Sequence, residues 1–385
     1  MKLNILKITA NINFFLIFPF YIFGQILVQI GYINPYLGSS FSFLLAVSIP
    51  LSIFGLLWVK DFYAVLKFNV TKFFLFFLFF YFLFLVFKYL NGAGIVFIVS
   101  HLKSLLRLVA IYLLSLNFHF SQILFDKKKY FLILSMSALL IILFSFDFVS
   151  ISAVEIGGDY FEFDYQMIAF LILFLFINKV SLKYFDANLI VLLLMLTSLF
   201  FLGARTEFYI SMMIFIFVGF LRLRNKFLTI IFSGLITFVF LVIGYIYIDR
   251  EELSGIRIFA VLFDGEDASQ VSRSSLTSNA IKTISTHPFL GDFGSHELGA
   301  YSHNLLSAWV DFGILGFAYL LLIVIFPFFQ LIKRFKRENS HVYILAISSF
   351  VALVISFALA KTYNYSMLSV ALAYYGVWAL KRGDF

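Results

Sequence analysis

Asp249–Ser302 reads DREELSGIRIFAVLFDGEDASQVSRSSLTSNAIKTISTHPFLGDFGSHELGAYS, and His303-Asn304-Leu305-Leu306 follows directly. It is the one long polar interval in a chain otherwise made of apolar runs, and that contrast decides the fold. On either side the sequence is built from stretches of roughly 17–25 mostly apolar residues between polar breaks, the length a helix needs to cross a bilayer. The composition agrees: 63% hydrophobic, 12% charged and a mean hydropathy of +1.02, where soluble domains carry about a quarter charged residues. The expected fold is an all-α polytopic membrane protein.

Working outward from the interval, twelve spans are expected. Toward the N-terminus they run over about 8–33, 40–59, 72–89, 92–118, 130–149, 166–177, 188–203, 207–221 and 227–248. Toward the C-terminus they run from about 303 to 332, 342–360 and 367–380. The expected division is therefore nine spans in 1–248, a large loop over 249–302 and three spans in 303–385. The segment after Glu155, with Asp159, Glu162 and Asp164, reads as an acidic loop. Gly203-Ala204-Arg205-Thr206-Glu207 reads as the tip of a tight helical hairpin. The first span lacks a small-residue cleavage site and is read as retained.

The formal charge of +8 invites a nucleic-acid reading, but the cations sit in short loops between spans, where Lys and Arg orient a membrane protein. Assigning the loops to alternate sides puts roughly two thirds of the 28 Lys and Arg with the N-terminus. Both termini are then cytoplasmic and the long loop faces outward. The chain has no cysteine, which excludes disulfides, thiolate metal sites and cysteine nucleophiles.

Inside the loop, Ser274–Ser285 has Leu276, Ala280, Ile281 and Ile284 on a helical period, with Arg273 at its expected start and Pro288 helping to stop it. Gly255–Phe263 reads as a second amphipathic piece, carrying Arg257. The glycine-punctuated turn Pro288–Gly294 lets backbone pack closely. Tyr301-Ser302-His303-Asn304 then opens the tenth span, with Ser302 in N-cap position. A helix N-terminus favours a phosphate and disfavours imidazolium, so His303 is expected neutral and able to accept a proton.

Each of these residues also has a plain structural reading. His287 and His296 read as interfacial hydrogen-bonding side chains. Arg205 can snorkel from its hairpin tip, yet it stands among Gly, Ala and Thr, where close packing is easy. His101, Lys103 and Arg107, inside the fourth span, either line a cavity or sit in a helix end outside the bilayer core. Trp309 and Asp311 read as structural. The chain has no Walker loop, HExxH or DxD run. Arginines with a histidine suit a substrate already activated as a lipid diphosphate: the cations neutralise the leaving group and a neutral imidazole deprotonates an acceptor hydroxyl.

These motifs resemble the bacterial O-antigen polymerase and ligase superfamily, the Wzy and WaaL type proteins. The likeness is carried by Arg273, by Thr286-His287-Pro288-Phe289-Leu290-Gly291-Asp292-Phe293-Gly294, by Ser302-His303-Asn304-Leu305-Leu306 and by Gly313-Ile314-Leu315-Gly316. Gly203-Ala204-Arg205 is similar to the family's hairpin tip. One departure is Ser307, where the pattern has Leu. The resemblance implies a GT-C-like fold and a metal-independent, inverting transfer of a glycan from undecaprenyl diphosphate at the periplasmic face of the inner membrane, with no cofactor. It implies that Arg205 and Arg273 contact the diphosphate and that His303 is the catalytic base or orienting group. Asn304 and Tyr301, beside His303, and Arg257, which has no counterpart in the signature, complete the expected substrate-binding set. The high Phe content (56 residues) resembles the polymerases, which lengthen one lipid-linked repeat unit with another and take a chain-length co-polymerase as partner. A ligase acting on lipid A–core is the alternative, and a lipid-linked oligosaccharide flippase is the reading from another class.

Overall fold

The computed structural model describes residues 2–30, 32–33, 41–145, 154–156, 159–161, 164–182, 189–222, 268–294, 304–335 and 338–382. The expected span 227–248, the loop piece 255–263, and Arg257, Tyr301, Ser302 and His303 lie outside these residues. Every other expected span falls on a helix. In chain order the helices are α1 (Lys2–Phe15), α2 (Tyr21–Gln29), α3 (Phe41–Leu56), α4 (Lys60–Lys67), α5 (Asn69–Leu90), α6 (Ile95–Ser121) and α7 (Lys127–Ser145). After two strands, β1 (Val154–Ile156) and β2 (Asp159–Phe161), come α8 (Tyr165–Val180), α9 (Leu189–Phe201), α10 (Arg205–Arg222), α11 (Ala268–Thr286), α12 (Leu306–Arg334), α13 (His341–Leu359) and α14 (Met367–Arg382).

The protein is a helical, polytopic membrane protein. Among the described residues, five helical runs are long and apolar enough to cross a bilayer: Asn4–Gln29, α5, α6, α12 and α13. A sixth crossing would need α3 and α4 together, which meet at a 110° bend, and α8 and α9 are shorter apolar helices. The lipid-facing character is plainest in α5. Phe74, Phe77, Leu78, Tyr81 and Leu85 are buried at helical spacing, while Phe73, Phe76, Phe79, Phe82 and Phe87 on the other side are exposed. In water such a helix would alternate apolar and polar faces. Here both faces are apolar, because the solvent on the second face is hydrocarbon.

The chain forms two compact units, 1–126 with 273–385 and 127–272. In the first unit α6 is the central post, with α1, α3 and α14 packed on it. Small and polar residues make the seams, as expected where lipid removes the hydrophobic drive to associate. Asn13 Nδ2 donates to Ser52 Oγ at 2.9 Å, and Asn117 Nδ2 reaches Thr9 Oγ1 at 3.5 Å. A side chain on Gly55 would collide with Thr9 and Asn117. On α6, Tyr112 Oη shares a 2.9 Å hydrogen bond with Thr71 of α5, and the Leu108 carbonyl accepts from Ser369 Oγ of α14 at 2.7 Å.

Two helices of this unit are interrupted at prolines or turns. Pro19 lacks an N–H and crowds the carbonyl four residues back, and a π turn over Leu16–Phe20 absorbs it between α1 and α2. Beyond the bend after α3, α4 buries Phe62 and Val65 while Lys60, Asp61 and Lys67 stay exposed. That is the pattern of a helix lying along a membrane surface. From sequence these lysines fall in a loop between spans; the structure places them on a helix.

In the second unit, two short strands lie within the expected acidic loop between α7 and α8. Val154 pairs with Phe161, Glu155 with Tyr160 and Ile156 with Asp159 in an antiparallel ladder. Asp164 then caps α8, accepting from Met167 N at 3.1 Å. Buried α8 packs against α9 and α10, and Arg222 Nη2 donates to the Ser181 carbonyl at 2.6 Å.

Candidate functional site

The turn Pro288–Gly294 and the start of α12 are built into one another. Gly313 interrupts α12 with φ 67° and ψ −172°, a backbone region that only glycine adopts readily. The break removes the helical bond between Ile314 N and the Val310 carbonyl, leaving two orphaned groups in an apolar setting. The turn takes up both. Ile314 N donates to the Pro288 carbonyl at 3.0 Å and Asp292 N donates to the Val310 carbonyl at 2.6 Å. Trp309 Nε1 also reaches the Pro288 carbonyl, at 3.0 Å. The fit needs two glycines. A Cβ on Gly291 (φ 69°) would meet Val310 O at 2.6 Å and Asp311 C at 2.8 Å, and a Cβ on Gly313 would run into the Phe289 carbonyl.

One residue beyond Val310 stands Asp311, with both carboxylate oxygens engaged. Tyr363 Oη donates to Oδ2 at 2.8 Å, and Gly294 N points to Oδ1 at 3.4 Å. Tyr363 lies in the turn between α13 and α14. Burial first, then the neighbouring Asp311 charge and contact with Tyr81, hold its phenol well above the ordinary tyrosine value. It therefore acts as a donor to Asp311. Tyr81 Oη in turn shares a 2.7 Å hydrogen bond with His101 Nδ1. The rings of Tyr81, Phe84, Phe97, Phe293, Phe312 and Tyr363 close around this chain at centroid distances such as 5.6 Å for Tyr81–Tyr363 and 5.7 Å for Phe293–Phe312. At the rim Lys88 Nζ pairs with Asp292 Oδ1 at 3.4 Å, both half-exposed.

Of the expected site residues, Asn304 is described in full. Its Oδ1 accepts from Leu306 N at 2.9 Å, and its carbonyl accepts from Ser307 Oγ at 2.8 Å. The described helix thus begins at Leu306, a turn later than expected, with Asn304 supplying the capping oxygen. Ser307, the departure from the pattern, is buried and also accepts from Tyr363 N at 3.4 Å. Leu305 N donates to the Phe357 carbonyl at 3.0 Å. These bonds fasten the mouth of α12 to the end of α13.

Arg273 is inside α11, which starts at Ala268 and not at residue 273; the polar Ser269-Gln270-Val271-Ser272 run concealed the first turn. In the expected apolar stripe Ala280 is buried and Ile281 is exposed at 57%. Arg205 opens α10 in the second unit, after Gly203 turns the chain at φ 65°, and it is half-buried. His287 is exposed, with Nδ1 3.1 Å from Thr286 Oγ1. The catalytic candidate His303, and Tyr301 and Arg257, lie outside the described residues.

Asp311, which the sequence reads as structural, does brace the joint, through the partners Tyr363 and Gly294 that the sequence does not name. The available signal was an acid inside an apolar run, Ala308-Trp309-Val310-Asp311-Phe312, since an ionisable residue within a span is a functional candidate by default. Among the described residues no three His, Asp or Glu side chains gather closely enough to hold a metal ion. No family model, no curated protein and no solved structure matches this chain.

Proposed function

We propose that the chain is an inner-membrane glycosyltransferase of the O-antigen polymerase type. It would carry about a dozen spans in a GT-C-like arrangement and extend a lipid-linked glycan from an undecaprenyl-diphosphate donor. The observation that carries this reading is the welding of Pro288–Gly294 into the Gly313 break. Two separate pieces of the resembled signature interlock through their glycines, at the mouth of the span that Asn304 caps. His303, adjacent to Asn304 in the chain, is assigned the acceptor hydroxyl's proton. Arg273 and Arg205 are assigned the leaving diphosphate, with Tyr301 and Arg257 as further contacts. The transfer forms the new glycosidic bond at the anomeric carbon, from the face opposite the departing undecaprenyl diphosphate.

The flippase reading is disfavoured by the same feature. Transporters use broken helices to free backbone groups for substrate or coupling ions, whereas both groups freed by the Gly313 break are taken up by the turn. The test uses purified protein in nanodiscs with undecaprenyl-diphosphate-linked repeat units and no added metal. A ladder of lengthened glycans is expected from the wild type and from neither His303→Ala nor Arg273→Ala. Single transfer that requires a lipid A–core acceptor would instead identify a ligase. No transfer to either acceptor would overturn the reading.

A further inference from the structure

We propose that Ser100, Lys103, Ser104 and Arg107 of α6 form a binding site for a phosphate carried by a membrane lipid. The inference stands on the geometry of α6 and does not depend on glycan transfer. At 3.6 residues per turn these four residues share one stripe. The stripe passes from open to enclosed along the helix. Val96 is 67% exposed and Lys103 is exposed, Arg107 is half-buried, and Ile111 and Leu114 below it are 4% and 2% exposed. Arg107 therefore lies where the stripe passes from its exposed, Ile95-side end to its buried one.

Depth makes the cations informative. With a rise of about 1.5 Å per residue, Lys103 lies roughly 12 Å and Arg107 roughly 18 Å from the helix start, in a helix long and apolar enough to cross the bilayer. Charged side chains at such depth face a protein interior or a polar partner. Among the described residues neither has a carboxylate partner, and Arg107 Nε is enclosed with no hydrogen-bond acceptor. Snorkelling alone would leave that Nε where it is. Two like charges four residues apart also repel, and an anion rich in acceptor oxygens would both relieve that repulsion and supply the acceptor that Arg107 Nε lacks.

Phosphate meets the requirement. Guanidinium binds it in a forked geometry and an ammonium adds a mobile point charge. Helical side chains lean toward the N-terminus, so both cations reach toward the exposed end of the stripe, where Ser100 stands with them. Val99 and Leu102, 39% and 43% exposed on the neighbouring face, give an acyl or polyprenyl tail an apolar approach, which favours a lipid-borne phosphate over a free one. At this end the Pro288–Gly294 turn also packs, through Phe293 against Phe97 and His101 at 5.8 and 5.0 Å between ring centroids.

The test is native mass spectrometry of the full-length protein in an uncharged detergent, with undecaprenyl phosphate, undecaprenol and phosphatidylglycerol as probes. The wild type is expected to retain undecaprenyl phosphate at least about tenfold better than undecaprenol, the effect of one or two charge-assisted hydrogen bonds. Arg107→Gln is expected to remove about tenfold of that preference and Lys103→Gln a few-fold, with Arg107→Lys between wild type and Arg107→Gln. Equal competition by phosphatidylglycerol would name a bulk headgroup as the occupant, and failure to compete would name a polyprenyl phosphate; both support the site. Undiminished preference in the Lys103→Gln/Arg107→Gln double variant would overturn it. Should Arg107→Gln lose its cooperative thermal transition, the charge reversal Lys103→Glu at an exposed position carries the test alone. A wild type that binds undecaprenyl phosphate but builds no glycan ladder would refute the proposed activity and leave this site standing.

Discussion

Two interruptions in the membrane helices of the first unit differ in where their loose backbone ends go. At Pro19 the chain solves the problem within itself: a π turn widens the helix over Leu16–Phe20 and α2 continues from Tyr21. At Gly313 the helix cannot repair itself, and Pro288 and Asp292, some twenty residues upstream, supply the missing partners. The first interruption is a local distortion. The second is a joint between two segments, and any change there is felt by both.

Substitutions at the two sites separate these behaviours. The largest effect is expected from Gly313→Ala, which combines left-handed strain of about 1–3 kcal/mol with a collision against the Phe289 carbonyl. The purified variant should show a strongly lowered melting temperature and early proteolytic cleavage near 287–294. Next come the bonds that brace the joint. Tyr363→Phe leaves Asp311 Oδ2 without its donor, and Asp311→Asn risks placing an amide N–H against Gly294 N. Each is expected to cost about 1–3 kcal/mol, read as a smaller fall in melting temperature. Lys88→Ala should cost less than about 1 kcal/mol, since the pair it breaks is half-exposed. Pro19→Ala should change stability least, because the helix regains an N–H at a site that has already adapted. If Pro19→Ala and Gly313→Ala lowered the melting temperature equally, the distinction between a self-repaired and a jointly repaired break would collapse.

The sequence made the helices legible because hydropathy is an average over a window, and the windows here are long. The ends of α5, α6, α13 and α14 fall within a few residues of the expected positions. The same averaging hid the Gly313 break, since Phe312 and Ile314 keep the window apolar across it. Gly313 was noticed only as part of a resembled motif, with nothing to indicate which backbone it meets. The pairing of 154–156 with 159–161 is not anticipated, although Gly157-Gly158 stand between the paired segments in sequence, a two-residue spacing that favours tight hairpins; the acidic side chains point the reading toward a loop. For α4 the signal was the spacing of Phe62, Val65 and Leu66, overshadowed by its lysines. At the candidate site, Asn304 is legible as a site residue, but nothing in the sequence marks its side chain as the acceptor for Leu306 N; the expected cap, Ser302, lies outside the described residues. Asp311 carried its chemistry in plain view, yet its partners come from Gly294 and Tyr363, which no local pattern links.

The joint at Gly313 also bears on how the protein is made. A translocon reads Leu306–Arg334 as one continuous apolar segment and releases it sideways into lipid. Released alone, that segment would carry a bare Val310 carbonyl and a bare Ile314 amide into hydrocarbon. The turn that answers them precedes the segment in the chain, so it is already synthesised when α12 emerges. Order of synthesis and order of need coincide, and the short 295–303 connection is all that separates the plug from its socket. A fusion or epitope tag inserted there would test that coupling during insertion, before any question of activity arises.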